Sequence, residues 1–340
     1  MTARMLAEAL EAPAAVGRFL AADKDGWADF GARLREADPP AGVTVGRGSS
    51  DHAASYLAYL LTARLGRPVA SLPMSLVTLC HAPLRVCGLA AFAVSQSGQS
   101  PDVVACLDAL RAAGALTAAF VNDTSAPLAA AAEWCFELHA GAERSVAATK
   151  SFIASLAAAA RLVGVWQDDS GFLARLRGLP NHLERAGRAD WASAVPALAA
   201  ASRAIVVSRG LGFAIAAEAA LKLKEICGLH AEAFSGAELR HGPIALVGPA
   251  EPVLVLAPNG PALGELVQLA DELRAWGGTV LLAAPEEVRG RDLTLIATGD
   301  PDLDPLAAVQ SFYPFAAALA EARGRDPDQP AHLSKVTRTL

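Results

Sequence analysis

Cysteine is scarce in this chain of 340 residues, and its pattern argues against a disulfide framework. The cysteines are odd in number, include no CxxC pair and mostly lie within apolar runs, as buried free thiols do in a reducing compartment. They are Cys80, Cys87, Cys106, Cys135 and Cys227. The seven histidines are scattered, and Cys80-His81 is the only adjacent pair of metal-ligand types. We therefore predict a cytoplasmic protein with no metal site.

Long hydrophobic runs and basic runs are also missing. Hydrophobic residues make up 53% of the chain, but charged residues interrupt every apolar stretch before it reaches membrane-spanning length. Glu8 and Glu11 interrupt the first apolar stretch, which predicts an amphipathic helix and not a signal peptide. The net charge is -6, and the sequence contains no run of basic residues that would attract the phosphate backbone of a nucleic acid. We expect neither a membrane nor a nucleic acid as partner.

Strand-like apolar runs that end in glycine or a polar loop recur in both halves of the chain. Helical stretches rich in alanine and leucine separate them, and this alternation predicts parallel sheets. The predicted strands are 43–48, 90–98, 116–123 and 134–141 in the first half, and 204–210, 253–260, 279–285 and 293–299 in the second.

The two halves repeat with a constant offset. Gly48 and Gly210 are 162 positions apart, and so are Gly98 and Gly260. Together with the length, this predicts two α/β domains, each a three-layer sandwich of helices around a parallel sheet. The expected boundaries are an N-terminal helical segment 1–28, a first domain 29–166, a helical linker 167–196, a second domain 197–327 and a C-terminal tail 328–340.

Two loops rich in hydroxyl groups follow the first two predicted strands. They are the segments 46–50 (GRGSS) and 95–100 (SQSGQS), the second followed by Pro101 at a helix start. Loops at the carboxyl ends of parallel strands lead into helix N-termini, which favour anions. The serines predict a phosphomonoester site in the first domain, and ordinary helix capping is the alternative. The corresponding loops of the second half have lost most of their hydroxyl groups.

A second group of polar residues lies in the second half. Glu218, Lys222 and Glu225 share one face of a predicted helix because they are four and three positions apart. Such a stripe, taken alone, is more often a solvated surface. Further titratable side chains follow within about two dozen residues, and a cluster of this kind is typical of acid-base sites. These are His230, Glu232, Glu238, Arg240 and His241.

Five strings of the sequence together resemble the isomerase half of glucosamine-6-phosphate synthase and its relatives in the sugar isomerase (SIS) family. They are GSSDHA from Gly48, SQSGQSPD from Ser95, SVAATKSF from Ser145, EAALKLKEICGLHAEAFSGAELRHGP from Glu218, and DQPAHLSKVT from Asp328. The resemblance spans nearly the whole chain. It implies two tandem flavodoxin-like SIS domains in a homodimer, with a ligand site made from both domains and completed across the subunit interface.

The resemblance also implies roles for single residues. Glu225 matches the base that moves a proton between C1 and C2, and Glu218 and Lys222 would position it. His241 matches the group that opens the sugar ring, reaching in from the partner subunit, and Lys335 matches a tail lysine that forms a Schiff base with an open-chain ketose. The residues implied to bind the phosphate are Ser50, Ser95, Gln96, Ser97 and Ser100, with Ser49 and the backbone of Val146 close to the sugar.

Three departures from the synthase pattern shape the expected reaction. Ser145 replaces a glycine and Ala148 a serine, which leaves the exact sugar open. The chain begins MTARM, without the glutaminase domain that supplies ammonia in the synthase. We therefore expect a deaminase that converts glucosamine 6-phosphate and water to fructose 6-phosphate and ammonia, without a cofactor. Alternatives are a fructosamine-6-phosphate deglycase, a plain aldose-ketose isomerase, a synthase-like isomerase domain without glutaminase, and a non-catalytic sugar-phosphate sensor.

Overall fold

The computed structural model describes residues 3–22 and 26–335, which form two compact units. The first-half unit contains Ala14–Glu143, Lys150–Gly178 and the C-terminal residues from Ser334. The second-half unit contains the residues up to Pro13, the short segment Arg144–Thr149 and Leu179–Leu333. The chain therefore passes between the units more than once. The segment boundaries expected from the sequence stay predictions, and tail residues 336–340 lie outside the described part of the chain.

Two helices, α1 (Arg4–Leu10) and α2 (Ala12–Ala21), begin the described chain where an amphipathic helix was predicted. The elements of the first-half unit follow in chain order. They are α3 (Trp27–Ala37), β1 (Gly42–Val45), α4 (Ser49–Leu65), β2 (Val69–Ser71), α5 (Met74–Thr78), β3 (Ala90–Ser95), α6 (Pro101–Ala112), β4 (Leu116–Val121), α7 (Pro127–Ala131), β5 (Trp134–Glu137), α8 (Lys150–Gln167) and α9 (Ser170–Arg177).

The first-half sheet is parallel, with strand order β2-β1-β3-β4-β5. Strands β1 and β3 are buried along their whole length, as expected for parallel strands covered by helices on both faces. Helix α8 is buried on nearly every side and packs against α3 and α4. The order is that of a flavodoxin-like sheet, which confirms the predicted fold class for this half.

The second-half unit repeats this arrangement. Its elements are α10 (Leu179–Ala186), α11 (Val195–Ala199), β6 (Arg203–Ser208), α12 (Gly212–Glu225), β7 (His230–Ser235), α13 (Gly236–Arg240), β8 (Val253–Leu256), α14 (Leu263–Ala275), β9 (Val280–Pro285), β10 (Leu293–Leu295) and α15 (Asp304–Ala322). The parallel strand order β10-β9-β8-β6-β7 becomes 5-4-3-1-2 when the strands are counted from β6. The second half therefore has the flavodoxin-like topology of the first.

The predicted repeat is visible in backbone geometry. Strand β1 shifted by 162 positions falls within β6, and Gly48 and Gly210 both have φ in the left-handed region (54° and 59°). Glycine adopts this conformation without steric cost, so both loops can turn sharply from strand into helix. Each sheet also contains a strand that the sequence analysis missed, β2 in the first half and β7 in the second.

Two expectations from composition have different outcomes. Within the described residues, every helix is too short or too polar to span a lipid bilayer.

The expectation that the cysteines are mostly buried is wrong, since Cys80 and Cys87 are exposed. These two lie in the loop-rich segment between α5 and β3, where apolar neighbours in sequence do not form a core. Burial raises the pKa of Cys106 to about 11 and that of Cys227 to about 12.

Candidate functional site

The two serine-rich loops of the first-half unit lie side by side. Strands β1 and β3 pair in parallel, with Val45 opposite Ala93, so the loops that follow them leave the same edge of the sheet. Ser49 and Ser50 are the first residues of α4. Gly46 has no room for a side chain, because a Cβ there would lie 2.8 Å from the backbone nitrogen of Asp51. The first loop therefore packs tightly against the start of its helix.

The second loop is built by its own serines. Ser95 is buried at the end of β3, and its Oγ accepts a hydrogen bond from the Gly98 backbone N–H (3.1 Å). Ser97 Oγ accepts one from the Gln99 N–H (3.3 Å). Both hydroxyl groups act as acceptors here, so each keeps its O–H as a donor for a ligand. Ser100 stands at the N-cap of α6 but makes no side-chain capping bond, and the N-cap of α4 is Gly48. Ordinary capping therefore does not explain these serines.

An ion pair that the sequence analysis missed joins the two loops. The Arg47 Nε and Nη2 atoms lie 2.9 and 2.8 Å from Oδ2 of Asp102, in the first turn of α6. The Asp102 side chain is wholly buried, whereas that of Arg47 is 54% exposed. An arginine beside a glycine-rich loop and an acidic helix start were both visible in the sequence. Their pairing was not, since 55 positions separate them.

The segment that carries Val146 is held by a buried carboxylate of the second-half unit. Glu8 on α1 accepts hydrogen bonds from the backbone N–H groups of Arg144 (2.6 Å) and Ser145 (3.0 Å). Val146 follows directly and is half-buried. Among the described residues, Ser145 Oγ is a buried atom without a hydrogen-bond partner. The predicted sugar-contacting segment is thus an irregular turn whose backbone a distant glutamate holds in place.

Glu218, Lys222 and Glu225 form a buried ion triad on α12. Lys222 Nζ lies 3.2 Å from Glu218 Oε1 and 2.6 Å from Glu225 Oε2. The side chains of Glu218 and Lys222 are fully buried, and that of Glu225 is 22% exposed. Tyr313 on α15 donates its O–H to Glu218 (3.4 Å). The interpretation of this stripe as a solvated surface is wrong, because α15 and β7 cover the helix.

The neighbouring carboxylates favour the charged form of Lys222. Burial by itself lowers the pKa of Lys222, but the two neighbouring carboxylates and their hydrogen bonds outweigh burial, so its pKa is raised. Glu225 is the partly exposed end of the triad, so it is the member of the triad that a ligand can reach.

Glu225 also borders a small cavity within the second-half unit. The cavity has a volume of about 160 Å³. Its other lining residues include Gln329 and Pro330, from the sequence string that resembles the family's tail, and Arg325. The tail therefore begins beside the partly exposed end of the triad.

The other titratable residues of the predicted cluster do not converge on the triad. His230 and Glu232 are exposed on strand β7, and Arg240 forms an ion pair with Glu272 (2.7 Å). His241 is exposed at the C-terminal end of α13, where its backbone N–H donates to the Glu238 carbonyl (3.0 Å). Its predicted role from a partner subunit stays a prediction.

Lys335 is anchored within the first-half unit. Its Nζ lies 3.0 Å from Oε2 of Glu143, a carboxylate with a fully buried side chain. Glu143 also accepts hydrogen bonds from the backbone N–H (3.1 Å) and Oγ (2.6 Å) of Ser151. The lysine is thus held by a buried acid, although its segment has no regular secondary structure.

Comparison with known proteins agrees with this architecture. The model of the SIS domain family matches residues 42–163 and 197–284, which include both parallel sheets except the last strand of the second. The chain belongs to the SIS domain family. This confirms the resemblance drawn from the five sequence strings, and it assigns the serine loops and the ion triad to the two SIS domains of one chain.

Relatives of the SIS protein cover nearly its whole length. A candidate phosphosugar isomerase from Silicibacter pomeroyi has a structure with a TM-score of 0.91 and 41% identity, covering 96% of this chain and 100% of that one. A glutamine-fructose-6-phosphate aminotransferase (isomerizing) from Aeropyrum pernix is 34% identical over 97% of this chain and 56% of its own length. The glucosamine-6-phosphate deaminase of Thermotoga maritima shares the fold, with a TM-score of 0.79 and 22% identity over 99% and 100% of the two chains. The chain spans about half the length of the aminotransferases that it matches.

Proposed function

We propose that this SIS protein is a sugar-phosphate aldose-ketose isomerase and deaminase that converts glucosamine 6-phosphate and water to fructose 6-phosphate and ammonia. The observation that carries the proposal is the buried triad Glu218-Lys222-Glu225. In this triad the side chains of Glu218 and Lys222 are fully buried, and the carboxyl group of Glu225 is partly exposed. Such a group can take up and return a proton within a shielded site.

The serine loops provide the binding half of the proposal. Ser49, Ser50, Ser95, Ser97 and Ser100 lie at the N-termini of α4 and α6 or in the loops leading to them. The N–H groups of helix N-termini attract phosphate dianions, and hydroxyl donors add hydrogen bonds. With Gln96 in the same loop, these groups suit the 6-phosphate of a sugar.

The proposed reaction divides into ring opening, proton transfer and hydrolysis. His241 assists ring opening, which gives the open-chain 2-amino aldehyde. Glu225 removes the proton from C2 and returns it to C1, so the C2–N bond becomes an imine while C1 becomes an alcohol. Water then adds to the C2 imine and ammonia leaves, which gives the ketose. The 2.6 Å contact with Lys222 keeps the Glu225 carboxylate oriented during these steps.

Lys335 has a proposed role at the carbonyl group. An amine at this position can form a Schiff base with C2 of the open-chain ketose, in the reverse direction of the reaction. Its ion pair with Glu143 supports a fixed approach of the tail, since the lysine of a free chain end would be solvated. The Val146 turn would face the sugar hydroxyl groups.

A synthase-like isomerase is the second candidate. The 34% identity with the Aeropyrum pernix aminotransferase over 97% of this chain favours it. In that case the same proton transfer would run from fructose 6-phosphate toward the amino sugar, with ammonia supplied by another domain or chain.

A substrate panel tests both candidates. The purified chain is incubated with glucosamine 6-phosphate, N-acetylglucosamine 6-phosphate, galactosamine 6-phosphate or fructoselysine 6-phosphate, and ammonia, lysine and ketose are measured. Fructose 6-phosphate and ammonia from the first substrate alone support the deaminase, and lysine release indicates a deglycase. A further arm supplies fructose 6-phosphate with glutamine or ammonium. Binding of these compounds without turnover would contradict the proposed enzymatic activity and favour a sugar-phosphate sensor.

Subunit mixing tests the proposed homodimer with His241 acting in trans. Dimers of the inactive variants Glu225→Gln and His241→Ala are mixed, exchanged and assayed. A shared site predicts partial recovery, because one mixed site combines the intact residue of each subunit. Equal mixtures that stay inactive after proven exchange would refute the role in trans.

A further inference from the structure

Asp102, the acidic partner of Arg47, lies beside the serine loops. The proposed function requires these same loops to bind an anion. Asp102 is fully buried in the first turn of α6, two residues after Ser100. Arg47 comes from the other serine loop, directly before Gly48 and Ser49. An ionised carboxylate at this place would repel a phosphate group between the loops unless a cation cancelled its charge.

A second acidic residue, Asp51, follows Arg47 in the sequence. Asp51 lies in the first turn of α4, four residues after Arg47. Burial raises the pKa of the Asp51 carboxyl group, and His52, a hydrogen bond from Ser71 and, least of all, Arg47 act against that rise. The direct ion pair of Arg47 is therefore with Asp102, and its effect at Asp51 is minor.

The second-half unit contains a corresponding arginine-carboxylate ion pair, in which the carboxylate is partly exposed and not buried. Arg209, which is 162 positions after Arg47, forms an ion pair with Glu265 in the first turn of α14. Both side chains are partly exposed, at 41% and 38%, so water already screens them. The loops of that half also lack the serine clusters. An arginine from the loop after the first strand therefore meets the helix after the third strand in both halves, but only the first half buries the carboxylate.

We propose that Arg47 is a positioning residue of the phosphate site, which cancels the charge of buried Asp102 and thereby permits a dianion to bind between the serine loops. This inference rests on the proposed sugar-phosphate function. It predicts that removing Arg47 harms phosphate binding mainly through the carboxylate left behind. Removing that carboxylate as well should then restore much of the affinity.

A double-mutant cycle separates charge compensation from a merely structural role. Binding of glucosamine 6-phosphate and of inorganic phosphate to the full chain is measured by titration calorimetry for wild type, Arg47→Ala, Asp102→Asn and the double variant. We expect Kd to rise at least about tenfold in Arg47→Ala, because a dianion would meet an uncompensated buried charge. The double variant should recover most of that loss, and Asp102→Asn alone should bind at least as well as wild type. In turnover assays, KM should change while kcat holds.

The repeat offers a matched control. Arg209→Ala and Arg209→Ala with Glu265→Gln should leave both Kd values unchanged, since this pair lies in the half without serine loops. Melting temperatures are recorded for all variants. If Arg47→Ala is poorly folded, Arg47→Gln gives the same comparison, because it also removes the positive charge while keeping a long side chain. Arg47→Lys keeps the positive charge and should bind close to wild type.

Three outcomes would overturn the inference. The first is an unchanged Kd in Arg47→Ala, and the second is a double variant that binds no better than the single one. The third is an Arg47→Lys variant as weak as Arg47→Ala. If Ser95→Ala with Ser97→Ala abolishes binding while Arg47→Ala does not, the proposed function survives and only the role of Arg47 fails. A wild-type chain that binds neither probe would refute both.

Discussion

The ion triad allows catalysis and stability to be separated by two substitutions on one helix. Glu225→Gln removes the proposed base but keeps its shape, and it leaves Lys222 paired with Glu218. Lys222→Met removes the cation of the triad and leaves Glu218, with a fully buried side chain, beside the carboxyl group of Glu225. The first change should therefore affect turnover, and the second should affect folding.

The expected magnitudes differ in kind. Loss of a general base costs a factor of about 100 to 10,000 in kcat. The melting temperature of Glu225→Gln should stay within about 2 °C of wild type, because Lys222 keeps Glu218 as a partner. Breaking a buried ion pair by removing one partner costs about 3 to 5 kcal/mol. For a protein of this size, Lys222→Met should then lower the melting temperature by on the order of 10 °C.

The assays are calorimetric melting and ammonia release from glucosamine 6-phosphate. Lys224→Met is the matched stability control, since Lys224 lies two residues further along α12 and is exposed. It should melt like wild type. A Glu225→Gln variant that keeps most of its turnover would refute the base assignment. If Glu225→Gln and Lys222→Met lost the same stability, the charge argument for the triad would be wrong.

Three further predictions concern the phosphate loops, the tail and alkaline pH. Ser95→Ala with Ser97→Ala should raise KM at least about tenfold, since each lost charge-assisted hydrogen bond contributes about 1.5 to 3 kcal/mol; an unchanged KM would move the phosphate elsewhere. A chain truncated after Leu333 should fold and melt like the full-length protein but lose nearly all turnover, with Lys335→Ala losing a large part, and full activity after truncation would contradict a catalytic tail. The raised pKa of Lys222 means that its contribution to stability is fully present below its ordinary pKa of 10.5 and is lost as the pH rises through the raised value. Lys222→Met should therefore lose less stability than wild type as the pH rises above 10.5 in denaturant titrations, and parallel curves would refute this.

The fold class and the location of the serine loops at one edge of the sheet could be predicted from the sequence alone. Buried parallel strands such as β3 appear as continuous apolar runs, and the 162-residue offset showed that the pattern occurs twice. Strand ends followed by glycine and serine marked the loops, because parallel strands place their carboxyl ends at one edge. The short edge strands β2 and β7 escaped prediction, since β2 has only three residues and β7 carries polar residues such as His230 and Glu232.

Only the tertiary structure decided which polar residues work together. Helical spacing placed Glu218 and Lys222 on one face, but their burial depends on the packing of α15 and β7 against α12. Tyr313 on α15 donates a hydrogen bond to Glu218 from 95 positions away in the sequence. The pairing of Lys335 with Glu143 crosses 192 positions. Local periodicity reports which side chains share a face, whereas burial and ion pairing depend on which distant element covers that face. In this protein the repeat and its loops can therefore be predicted from local sequence patterns. The burial and the partners of the charged side chains depend on tertiary packing.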